Sequence, residues 1–180
     1  MKKYDLTTQS MVRIAMFTAV LSVLSVLQIP MPSGVPLTLQ TFAVALCGAV
    51  LGAWSGPASV ALYVAVGAVG IPVFAGMKGG IAVLVGPTGG FLFGFLFLAW
   101  LTGAGVGKKR AMATALGMAG LVCCHLLGIL GFILSTGAGV FQAFVTVSLP
   151  YLLKDALSVA AAVQIGEMLR KRLVFGHVFK

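Results

Sequence analysis

Residues 14 to 77 form a run of 64 positions without one Asp, Glu, Lys or Arg. A second uncharged tract of 29 residues spans 79 to 107, and a third of 43 spans 111 to 153. One crossing of a hydrocarbon core takes about 20 apolar helical residues. Backbone amides in lipid must be satisfied within the segment, so each crossing is a helix. Tracts of this length therefore require several crossings joined by short turns. The whole chain of 180 residues is 60% apolar and 8% charged, whereas soluble domains are about a quarter charged. The expected fold is an all-α integral membrane protein, residues 1–180 forming one domain in the lipid bilayer. A disordered chain, a secreted disulfide scaffold and a soluble enzyme are excluded.

A formal charge of +9 would suggest nucleic acid in a soluble protein. Here the basic residues cluster at the ends of apolar tracts: Lys2, Lys3 and Arg13; Lys108, Lys109 and Arg110; Arg170, Lys171 and Arg172; Lys180. Such clustering sets topology, and no nucleic-acid partner is expected. The basic start followed by Ile14 to Ile29 resembles a signal peptide, but Pro30-Met31-Pro32-Ser33 is no cleavage site, so a retained first helix is expected. Cys47 stands alone, and the Cys123-Cys124-His125 run lacks metal-ligand spacing. These residues read as packing, with no metal or cofactor.

Gly and Pro divide the tracts into helices at about 11–29, 38–53, 57–70, 88–103, 111–135 and 149–169, with a Gly- and Pro-rich loop or re-entrant segment at 71–87. Six transmembrane helices place both termini on the same side. With the N-terminus inside, ten of the twelve basic residues become cytoplasmic. Five or seven helices would put one basic cluster outside, against the positive-inside rule.

Lys78, Lys154 and Asp155 are left near the outer side. Ionised residues at membrane depth imply a partner or a wet cavity. Tyr151, Asp155 and Ser158 share a helix face with Ala162. Lys154 and Asp155 are consecutive and diverge by about 100°, which predicts that each meets something other than its neighbour. A carboxylate accepts and an ammonium donates, so together they suit a small ligand with N–H donors at one end and an anion at the other.

Catalytic motifs are absent. Gly103 to Lys109 has a faint likeness to a phosphate loop, but Thr102 replaces its first Gly and Lys109 its Ser or Thr. Any ATP-driven step belongs to another chain. With two His and three acidic residues, an intramembrane protease has little to be built from. Gly48, Gly52 and Gly56, Gly90 and Gly94, and Ala15 and Ala19 recur at spacings of four, which permits close helix approach.

The most specific stretches are Pro72-Val73-Phe74-Ala75-Gly76 and Gly86-Pro87-Thr88-Gly89-Gly90-Phe91-Leu92-Phe93-Gly94-Phe95. With them, residues 11 to 170 resemble the BioY family, the biotin-binding S components of energy-coupling-factor transporters. The resemblance implies a non-enzymatic, multi-pass protein of a prokaryotic cell membrane with six helices and cytoplasmic termini. It further implies biotin as ligand, with a transmembrane coupling subunit and two ATPase subunits as partners. Ala15 and Ala19 look like the step by which helix 1 meets the coupling subunit. Pro150 to Asp155 resembles the start of the family's last helix, which places Asp155 at the biotin site. The family pattern has Lys three residues after that Asp; here Ser158 stands there, so Lys154 and Lys78 are the candidate cations.

On this reading Gly76, Gly79, Gly80, Gly86, Gly89 and Gly90 supply backbone that a flat bicyclic ring can approach. Thr88 belongs to the same run, and Thr38 and Gln40 add polar contacts from the outer side. Two alternatives share these residues: an S component for another vitamin, and a stand-alone biotin carrier.

Overall fold

The computed structural model describes residues 7–31 and 35–175. Lys2, Lys3, Pro32, Ser33 and Lys180 lie outside the described residues, as do both chain ends. The elements in order are α1 (Thr8–Val26), β1 (Gln28–Ile29), β2 (Leu37–Thr38), α2 (Gln40–Ala68), α3 (Ile81–Val85), α4 (Gly89–Ala104), α5 (Arg110–Thr136), α6 (Val140–Val147) and α7 (Leu149–Phe175).

Thr7 caps α1, its hydroxyl oxygen accepting from the Ser10 N–H at 3.2 Å. The first helix, expected to reach residue 29, ends at Val26. The residue before a proline is driven into extended backbone, and here Ile29, before Pro30, pairs with Leu37 while Gln28 pairs with Thr38. This small antiparallel hairpin has no counterpart in the sequence reading.

The α2 helix is two helices folded on each other. Gly52 interrupts it at φ 86°, ψ −177°, a backbone conformation that suits glycine. Residues eight apart in a straight helix are separated by about 12 Å, yet a Cβ at Gly56 would sit 2.8 Å from the Cα of Gly48. Farther from the turn, Gln40 Nε2 donates to the Tyr63 hydroxyl at 2.6 Å. The halves are therefore antiparallel. The turn was expected at 54–57, but those residues are helical. Pro57 lies just after the restart at Gly52, so the hydrogen bond it cannot make is among the first of the new helix.

Glycine also sets the distance between α4 and its neighbours. A Cβ at Gly94 would lie 2.7 Å from the Cα of Cys124, and one at Gly103 would lie 2.5 Å from the carbonyl carbon of Gly52. On opposite faces, α4 thus presses its backbone against α5 and α2. The α5 helix ends on Gly137 at φ 73°, a left-handed cap. After it comes α6, which the sequence reading left within a loop, and a 50° bend leads into α7. The 71–87 segment holds a bridge between Phe74 and Lys78 and the short α3.

Leu21, Val44, Val60, Tyr63, Leu98 and Val159 are fully enclosed in the core. The outside is also apolar: Val23, Phe93, Trp100, Leu126, Leu134 and Leu153 are exposed, as a lipid-facing surface requires. By length and hydropathy α1, α2 and α5 can each cross a membrane, and the bent pair α6 and α7 passes as a further span. The described basic clusters meet at one end. Arg110 and Lys171 both pair with Glu167, at 3.2 and 2.9 Å, while Arg170 Nη1 donates to the Val50 carbonyl beside the Gly52 turn at 3.2 Å. That contact occupies a carbonyl which the interrupted helix leaves without a partner.

Candidate ligand-binding site

At the opposite end, about 22 Å from Arg170 along α7 by helical rise, Asp155 lines a cavity. Its empty space, counted out through its mouth into open solvent, is about 790 Å³. The walls come from β2, α2 to α7 and the loop that carries Phe74 and Lys78. Phe74, Phe91, Leu92, Phe95, Leu121 and Val147 give it an apolar body.

The polar groups gather on one wall. Asp155 is 5% exposed, and two partners flank its carboxylate. His125 Nε2 lies 3.3 Å from Oδ2, and Lys154 Nζ lies 2.5 Å from Oδ1. The expectation that Lys154 and Asp155 avoid one another is overturned. Their Cα–Cβ vectors do diverge, but four methylenes let the lysine stem curl back around the helix. A buried carboxylate without a counter-charge is costly enough to favour that. The same ammonium donates to the Thr38 carbonyl at 2.9 Å, which ties α7 to the small hairpin. Despite the short ion contact, Oδ1 accepts no hydrogen bond of acceptable geometry. It is shut off from the cavity and held by the Lys154 ammonium.

Lys78 also lines the cavity. The turn that carries it has two residues of positive φ, Gly76 at 70° and Met77 at 58°; the second is unusual for a side chain with a Cβ. Backbone bonds between Phe74 and Lys78, 2.9 and 3.4 Å, close the turn. Among the described residues the Lys78 ammonium has no acidic partner. The charged lining is thus Lys78, Lys154 and Asp155, one cation in excess when His125 is neutral.

Tyr151, Thr38, Gln40 and Thr88 also line the cavity. The Tyr151 hydroxyl donates to the Val35 carbonyl, and Gln40 is held by Tyr63. Ser158 and the six glycines do not line it. Val159 takes the buried place one turn beyond Asp155, and Ser158 is turned aside, half-buried. The glycines bring protein segments together: Gly76 fits against the Gln28 side chain, Gly79 against the carbonyls of Gly70 and Ile71, Gly89 against Leu84, and Gly90 against Leu127 and Gly131. Gly80 donates its N–H to the Gly67 carbonyl at 2.7 Å, and Gly86 closes α3. Ala15 and Ala19 lie exposed on α1, far from this wall.

His125, Thr41, Phe91 and Cys124 line the cavity and were missed as site residues. His125 had been read with Cys123 and Cys124 as packing. Its signal was present: a lone imidazole in the middle of an uncharged tract, which at membrane depth needs a polar partner. Among the described residues, no three His, Cys, Asp or Glu side chains could hold a metal ion.

The sequence matches the BioY family over residues 1–174. It is 41% identical over 158 residues to a probable biotin transporter BioY of Pyrococcus horikoshii, covering 87% of this chain and 93% of that one. To the biotin transporter BioY of Thermotoga maritima it is 39% identical over 166 residues, 91% and 96% of the two chains. The fold is similar to a crystal structure of the S component for biotin from an ECF-type ABC transporter, with a TM-score of 0.83, 23% identity and 95% of each chain covered. At that identity the likeness speaks for the fold. With a family match over nearly its full length and relatives of this identity and coverage, the chain belongs to the BioY family.

Proposed function

We propose that this protein is the biotin-binding subunit of a vitamin uptake system: a membrane protein that captures ligand and is no enzyme. The observation that carries the reading is the charge arrangement of the cavity. A buried carboxylate flanked by His125 and Lys154 lines it together with Lys78, which has no acidic partner among the described residues, and aromatic and aliphatic surface makes up the rest. Biotin has ureido N–H donors at one end, an apolar fused ring in the middle and a carboxylate at the other end. On this reading Asp155 accepts from the ureido group. Lys78 faces the valerate carboxylate, because Lys154 is already engaged by Asp155 and the Thr38 carbonyl. Tyr151, Thr38, Gln40 and Thr88 line the path between them. The single excess positive charge matches a mono-anionic ligand.

The finer topology follows from the same reading. The hairpin of α2 supplies two passes where its length suggests one, so six passes with both termini in the cytoplasm of a prokaryotic cell accommodate α1, both halves of α2, α4, α5 and α7. The basic end then faces the cytoplasm and the cavity faces outward. Transport is energised in trans by a coupling subunit and two ATPases, with the exposed Ala15 and Ala19 of α1 as the contact to the coupling subunit.

Mass spectrometry of small molecules released from the detergent-purified protein, followed by calorimetric titration with biotin, tests the reading. Biotin recovered in near-stoichiometric amount, or bound tightly by the emptied protein, is the expected result. Recovery of a different vitamin with no biotin affinity would refute it.

A further inference from the structure

The groups behind Asp155 form a chain of their own. His125 Nε2 lies 3.3 Å from Asp155 Oδ2, and on the far side of the ring Nδ1 lies 2.8 Å from the Ser148 hydroxyl. All three side chains are buried, His125 4%, Ser148 1% and Asp155 5% exposed. Phe91 holds the imidazole edge-on, with centroids 5.8 Å apart and planes at 87°. Ser148 stands at the break between α6 and α7, where the pair bends by 50°. His125 therefore joins α5 both to the bend and to the turn of α7 that bears the carboxylate.

Charge bookkeeping assigns the protons. The Asp155 carboxylate is already matched by the Lys154 ammonium at 2.5 Å, so a charged imidazole would leave one positive charge buried without a counter-ion. A neutral imidazole has one N–H and one lone pair. A carboxylate only accepts, so the N–H is on Nε2. The lone pair is then on Nδ1, and the Ser148 hydroxyl donates to it. In this state His125 stands at Oδ2 and the Lys154 ammonium at Oδ1, so both carboxylate oxygens are held.

We infer that His125, fixed by Ser148 as the neutral Nε2–H tautomer, is the positioning residue of the site: it holds Oδ2 of Asp155 and, with Lys154 at Oδ1, fixes the orientation of the carboxylate that lines the cavity. The inference rests on the proposed reading of the cavity as a biotin site. It fixes the plane in which the carboxylate meets a ligand, and it explains why a histidine is buried in an otherwise uncharged stretch.

Two measurements on the full-length protein in detergent test it. The first is calorimetry with biotin on the parent, His125→Leu, His125→Gln, Asp155→Asn and the double variant His125→Leu with Asp155→Asn. A Gln amide places a donor close to where imidazole Nε2 stands. His125→Leu is expected to weaken biotin about tenfold or more, as loss of a hydrogen bond to a charged group implies, with His125→Gln restoring most of it. In the Asp155→Asn background, His125→Leu should cause little further loss, because the two act as a unit. Equal losses in the Leu and Gln variants, or full additivity in the double variant, would overturn the inference. The second measurement needs no ligand: ring ¹⁵N shifts of His125 should report a neutral Nε2–H tautomer, lost or mixed in Ser148→Ala. A charged ring or an Nδ1–H tautomer would overturn it as well. A parent protein without biotin affinity would refute the biotin reading instead, and the ring nitrogens would then decide the inference alone.

Discussion

Lys154 Nζ lies 2.5 Å from Oδ1 of Asp155, its neighbour in sequence, on a helix where consecutive side chains point about 100° apart. The contact decides how the cavity is charged. A lysine committed to the protein's own carboxylate is a poor candidate for a ligand's carboxylate, so on the proposed reading the ligand-facing cation is Lys78.

Lys78→Met should therefore weaken free biotin by about tenfold or more while leaving biotin amide nearly unaffected, since only the free acid carries the paired charge. Lys154→Met should behave differently. Removing one partner of a buried pair costs about 3–5 kcal/mol, and with the lysine side chain 25% exposed the loss should fall at the low end. Both ligands should then weaken together and the melting temperature should drop. Titration of each variant with both ligands, beside a thermal melt, separates the two lysines. The reverse pattern would return the carboxylate to Lys154.

Asp155→Asn keeps the shape of the side chain but removes the counter-charge for Lys154 and replaces part of an acceptor with a donor. Hydrogen bonds to charged groups contribute about 1.5–3 kcal/mol, so biotin affinity should fall about ten- to a hundredfold. A folded Asp155→Asn protein with the parent's affinity would remove Asp155 from the site.

Replacing Ala15 and Ala19 with leucine should leave biotin titrations unchanged, because both residues are exposed on α1 and neither lines the cavity. Co-purification with a coupling subunit should decrease, since branched side chains hold helices apart. Unchanged capture would move that interface elsewhere.

Gly94→Ala should lower thermal stability by about 1–3 kcal/mol, the usual cost of overpacking, because the new Cβ would meet the Cα of Cys124 at 2.7 Å. Gly139→Ala is the control: nothing lies within 4 Å of its Cβ and its φ is −67°. Equal melting temperatures for the two would refute close packing of α4 on α5 as the reason for this glycine.

The sequence by itself determined the solvent and the class of fold. Charge-free tracts of 64, 29 and 43 residues admit helices in lipid and little else, because an unsatisfied backbone amide there is too costly. It also singled out Asp155, since a carboxylate at membrane depth requires a partner. What sequence spacing cannot carry is contact between distant segments and the reach of a flexible side chain. Only the tertiary structure turned α2 back on itself at Gly52 and paired Gln28 with Thr38. Only there does His125, on α5, meet Asp155, on α7. Helical periodicity fixed the direction of the Lys154 stem, but where its ammonium settled depended on the one buried carboxylate within reach. The glycines divide along the same line. Their number and spacing are legible in the sequence, but what each one faces depends on which segment packs against it: backbone at Gly90, Gly94 and Gly103, a side chain at Gly76.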